Sequence, residues 1–60
     1  MINLIGKTVR QAAKVLKSNG KELRVTERDG KPFMFTMDYA ENRINVSVIK
    51  GRIVNVVGIG

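Results

Sequence analysis

The sequence contains no cysteine and no histidine. Without thiols there is no disulfide to staple a small fold. Without thiol or imidazole, the common zinc ligand sets and a Ser-His-Asp or Cys-His catalytic site are excluded. Negative charge is also scarce, with five Asp and Glu against eleven Lys and Arg, for a net charge of +6. Of the carboxylates, Asp29, Asp38 and Glu41 lie near turns and Glu22 and Glu27 on a strand. No two of them have the setting of a buried acid and base, so the chain does not read as an enzyme, and no cofactor or metal is implied. No stretch approaches the roughly 20 apolar residues of a membrane span. The opening Met1-Ile2-Asn3-Leu4 is too short for a signal peptide, since helix-capping chemistry begins at Thr8. The chain therefore reads as cytoplasmic, or as secreted if a signal was removed.

What remains is one domain spanning residues 1–60, with an apolar share of 43% that suffices for a single core. A chain this short buries only about 60% of its unfolded surface, so without staples it depends on close packing or on a partner. Thr8 followed by Gln11 makes a capping box, and Val9, Ala12, Ala13 and Leu16 recur on one helical face. Gly20 suits the left-handed residue that ends such a helix, with Lys17 and Lys21 where its dipole favours cations.

Strand patterns follow. "ELRVTER" places Leu23 and Val25 on one face. "FMFTMDY" alternates from Phe33 to Tyr39. "RINVSVI" aligns Ile44, Val46 and Val48, and "RIVNVVGIG" closes the chain. Asp29-Gly30 and Lys50-Gly51 are turn signals, and Pro32 argues against a central strand position there. The expected class is α+β: one helix on a small mixed sheet, with core residues Leu23, Val25, Ile44, Val46, Val48, Ile53 and Val56 beneath it.

Two features bear on function. Arg10, Lys14, Lys17 and Lys21 fall at i, i+4, i+7 and i+11, a basic stripe that would suit nucleic acid or an acidic protein. The same stripe is also what the solvated face of any amphipathic helix looks like. The aromatics Phe33, Phe35 and Tyr39 lie on another segment, so the base-stacking pattern of a single-strand binder is not present. The second feature is "MDYAENR", Met37 to Arg43. It has no glycine for a tight hairpin and reads as a wider, extended loop. Arg43 stands at its foot, within reach of Asp38, and a guanidinium's fixed fork of donors suits bracing a loop from inside. Met37 is then either a core residue of a hairpin or a side chain held out for another protein.

The chain resembles the potato inhibitor I family of serine-protease inhibitors, which includes the eglins, the barley chymotrypsin inhibitors and bacterial and fungal relatives. "LIGKTVRQAAKVL" is similar to the family's opening and its Ala-rich helix. "TMDY" at Thr36–Tyr39 resembles the reactive-site stretch, "NRINV" the strand after it and "IVNVVGIG" the closing strand. The resemblance implies a substrate-like loop of Thr36, Met37, Asp38 and Tyr39. Met37 would enter the primary specificity pocket, with Thr36 before it and Asp38 after the scissile bond. The implied partner is a chymotrypsin- or subtilisin-like serine protease, because methionine suits an apolar pocket. Arg43 matches the first of two arginines that support the loop in the family. Asn45 stands where the second would be, which implies a looser loop. A monomer is expected, or a homodimer if "PFMFTM" pairs with its copy at an exposed edge.

Overall fold

The computed structural model describes residues 3–33 and 38–60. It contains one helix, α1 (Val9–Ser18), and four strands: β1 (Glu22–Arg28), β2 (Lys31–Pro32), β3 (Arg43–Ile49) and β4 (Arg52–Ile59). The strands form one sheet in the order β2-β1-β3-β4. The β1–β3 pair is parallel and the two outer pairs are antiparallel, so the sheet is mixed and the fold is α+β.

The helix starts where its caps dictate. Thr8 Oγ1 accepts from the Gln11 amide at 3.2 Å, and Gln11 Oε1 accepts from the Thr8 amide at 3.0 Å. Both partners of the capping box are in place, so two otherwise orphaned donors are satisfied. The two hairpin turns have the same construction. Asp29 and Gly30 have φ of 51° and 79°, and Lys50 and Gly51 have φ of 51° and 78°. Two successive left-handed residues match the twist of a two-residue hairpin, and the glycine makes the second of them cheap. The turns are also tied to each other, because Asp29 Oδ1 accepts from the Lys50 amide at 2.8 Å and the Asp29 amide donates to the Val48 carbonyl at 2.8 Å.

Leu4, Ala12, Leu16, Val46, Val48 and Ile53 form the buried cluster, with Val9, Leu23, Val25 and Ile44 packed against it. The register explains the sorting. Leu23 pairs with Ile44 and Ile44 with Ile59, while Arg24 pairs with Asn45 and Asn45 with Gly58. Successive residues point to opposite faces, so one face of the sheet meets the helix and the other carries Arg24 and Asn45.

Two expectations are corrected. Val56 is not core: it is 43% exposed. A single helix about 10 Å across covers roughly two strands spaced ~4.8 Å apart. An open apolar groove of about 520 Å³, lined by Leu4, Leu16, Ile44, Val56 and Ile59 among others, is left between α1 and β4. Second, "FMFTMDY" is not a strand throughout. β2 ends at Pro32, and Phe33 and Asp38–Ala40 lie outside strands, while residues 34–37 lie outside the described residues. Alternation marks extended backbone, but a strand also needs a partner. Here the Asp38 carboxylate is bonded to Arg43, not aligned along β1. The edge pairing expected for "PFMFTM" falls largely on residues outside those described.

Candidate functional site

The site follows from the parallel pair. β1 and β3 run in the same direction, with Glu22 opposite Arg43. The chain leaving β1 at Arg28 must therefore travel back along the sheet before β3 can begin. Parallel neighbours always need such a crossover, and it is usually a helix. Here residues 29–42 make the crossover with only the two residues of β2 as regular structure among those described. Its last part is a loop held close to the start of β3. The Arg43 amide donates to the Ala40 carbonyl at 3.1 Å, and the Glu22 amide donates to the Asn42 carbonyl at 2.9 Å. Tyr39 stands out from it, 73% exposed.

Beneath the loop lie two arginines whose side chains are only 16% (Arg43) and 17% (Arg24) exposed. Arg43 Nη2 donates to Asp38 Oδ2 at 3.1 Å, and its Nε donates to Glu22 Oε1 at 3.0 Å. Its Nη1 is buried and makes no hydrogen bond among the described residues, so the fork is held at two of its three nitrogens. The hydrogen bond with Asp38, followed by that with Glu22, raises the Arg43 pKa above its ordinary value. A cation whose folded pKa is raised adds stability at every pH below its unfolded value and loses it only as pH climbs through the raised one. The cationic end of the Asp38–Arg43 pair therefore persists across the whole working range.

Arg24 reaches the same carboxylate from the neighbouring strand. Its Nη1 lies 3.9 Å from Asp38 Oδ1, its Nε donates to Asn45 Oδ1 at 2.9 Å, and its Nη2 donates to the Gly60 carbonyl at 2.8 Å. The Gly60 amide in turn donates to the Arg43 carbonyl at 3.1 Å. The two oxygens of Asp38 thus face two different guanidiniums, one from β3 and one from β1.

The structure brings together Asp38, Arg43 and, through Arg24, Asn45. Thr36 and Met37 lie outside the described residues. Sequence reasoning missed Arg24, although its signal was present. Arg24 sits between Leu23 and Val25 as Asn45 sits between Ile44 and Val46, so pairing the two apolar alternations in parallel puts Arg24 beside Asn45. Away from this site, Arg10, Lys14, Lys17 and Lys21 are all exposed, and none forms an ion pair among the described residues. No helix among the described residues is long and apolar enough to cross a membrane. The chain matches no protein-family model, and a search of curated proteins finds no match.

Proposed function

We propose that the protein is a reversible, substrate-like inhibitor of a chymotrypsin- or subtilisin-like serine endopeptidase, of the potato inhibitor I type. The observation that carries this reading is the Asp38 carboxylate held by Arg43 under an exposed loop. In this reading Thr36, Met37, Asp38 and Tyr39 occupy the protease cleft, and Met37 enters the primary pocket. A segment tied down before binding loses little conformational freedom on binding, so its contacts appear as affinity. The same ties hold the Asp38 end of a cleaved bond in place, which favours resealing over release.

Titration of subtilisin and chymotrypsin tests the reading. Half-inhibition of at least one enzyme at or below about 1 μM, near −8 kcal/mol of binding, is expected. Met37→Ala should weaken it by roughly a hundredfold, the loss that follows when an anchor residue is removed from its pocket. Absence of inhibition by the wild-type protein, or a Met37→Ala variant of undiminished potency, contradicts the proposal.

A second reading is a non-inhibitory module that binds nucleic acid or an acidic protein through α1. It is favoured by one observation: the four cations of the stripe are exposed and unpaired with any described carboxylate. If the stripe engages phosphates, a plot of log affinity for duplex DNA against log salt should fall with a slope of about −3 to −4. Fluorescence anisotropy with a labelled duplex measures it. A flat response at low salt removes this reading.

A further inference from the structure

We propose that Arg24 is a second positioning residue for the loop. It reaches Asp38 from β1 and is oriented for that task by Asn45.

Three observations support the assignment. First, a free arginine on a strand of so small a protein would extend its charge into solvent, yet this side chain is only 17% exposed. Second, its direction is fixed from two sides. Nε is held by Asn45 Oδ1 at 2.9 Å and Nη2 by the Gly60 carbonyl at 2.8 Å, which points Nη1 towards Asp38 Oδ1, 3.9 Å away. A planar fork with two fixed nitrogens has little freedom at the third. Third, the register makes the position specific: Arg24 faces Asn45 across the parallel pair, and Asn45 faces Gly58 across the antiparallel one. An amide at residue 45 carries no charge of its own, but it supplies the acceptor that holds a guanidinium arriving from the next strand. The looser loop expected from Asn45 is thereby replaced by a brace built from two strands. Because β1, β3 and the end of β4 all meet at this guanidinium, the loop is referenced to three strands at once.

The consequence for inhibition rests on the reading proposed above, so the test has two independent arms. In the free protein, Arg24→Met keeps the unbranched apolar stem and removes the guanidinium with its charge, and Asp38→Asn keeps the shape of the carboxylate and removes its charge. By ¹⁵N NMR, Asp38→Asn is expected to shift the Nε–H signals of both Arg24 and Arg43, and Arg24→Met to lower the order parameters of residues 38–42. A shift confined to Arg43, or unchanged order parameters, overturns the assignment whether or not any protease is inhibited. In the complex with subtilisin, Arg24→Met is expected to speed hydrolysis of the Met37–Asp38 bond by roughly ten- to a hundredfold, the scale of misplacing a reacting segment by about an ångström. The association rate should change by less than about threefold, since affinity differences between related complexes reside mostly in dissociation. The Arg24→Met/Asp38→Asn double variant should be no faster than the worse single variant. Arg24→Lys, which keeps the charge and loses the fork, should fall between wild type and Arg24→Met. If the two substitutions multiply independently, and only the unfolding midpoint follows Arg24, then Arg24 merely fastens β4 and the proposal fails. If the NMR arm succeeds while wild type inhibits neither subtilisin nor chymotrypsin, the brace stands and the inhibitory reading falls.

Discussion

Leu16→Ala is expected to leave much of the protein unfolded at 25 °C. Leu16 is 1% exposed and belongs to the buried cluster, which has six members among the described residues. Truncating a buried leucine to alanine costs about 3–5 kcal/mol, from lost transfer energy and from the cavity that remains. A domain of sixty residues has about 3–9 kcal/mol of stability in total, so this one change consumes a third or more of it. The helix has no other side chain of that size in the cluster: Ala12 is the only other helical member, and Val9 is only partly buried. Urea unfolding followed by far-UV circular dichroism gives the measurement. With a denaturant slope near 1 kcal/mol per molar, the midpoint should drop by roughly 3 M. Leu16→Met conserves volume and should cost less than about 1.5 kcal/mol. A Leu16→Ala midpoint within about 0.5 M of wild type would show that α1 contributes little to the core.

The second large effect concerns the loop. Arg43→Gln should preserve the fold, because the residue lies on the polar side of the sheet and contributes nothing to the buried cluster. It removes the 3.1 Å bond to Asp38 and the 3.0 Å bond to Glu22 together. Under the proposed function, inhibition of subtilisin should weaken by roughly a hundredfold, since a segment once held in a reactive geometry must be ordered at binding. Glu22→Gln separates the two bonds: it loosens the strand-to-strand tie while leaving Asp38 held, and inhibition should change by less than about threefold, as for an exposed ion pair. Inhibition constants from progress curves, with far-UV spectra as the check on folding, decide the matter. If Arg43→Gln inhibits as well as wild type, the guanidinium is not what orders the loop.

Much of this arrangement is legible in the chain because it is local. The capping box at Thr8 and Gln11 needs only four residues, and the Asp29-Gly30 and Lys50-Gly51 turns need only two each. Arg43 and Asp38 are five apart, so their pairing follows from reach alone. What escaped is non-local. The alternations of Leu23 and Val25 and of Ile44 and Val46 look the same whether the strands run parallel or antiparallel, so they place Arg24 beside Asn45 only once the pair is known to be parallel. Leu4, outside any periodic segment, joins the core only because the turn after it is held against β4, with the Gly6 amide on the Ile53 carbonyl at 2.8 Å. Val56 looks like core by composition and is uncovered because the helix lies elsewhere, a fact of layer width that the strand's own residues do not encode.

The two borders of the sheet are unequal. β2 is a two-residue edge made of Lys31 and Pro32, a cation and a residue without an amide hydrogen, which refuses a further strand. β4 is eight residues long, with Arg52 as its sole charge and with Val54, Val56, Val57 and Ile59 exposed. The chemistry of that border does little to discourage a second molecule from docking. Long-range repulsion between molecules of charge +6 opposes such docking, and it reaches about 10 Å at 0.1 M salt but only about 3 Å at 1 M. The cations along α1, Arg10, Lys14 and Lys17, contribute to that repulsion, so the polar face of the helix and the bare border of β4 are linked through charge and not through contact.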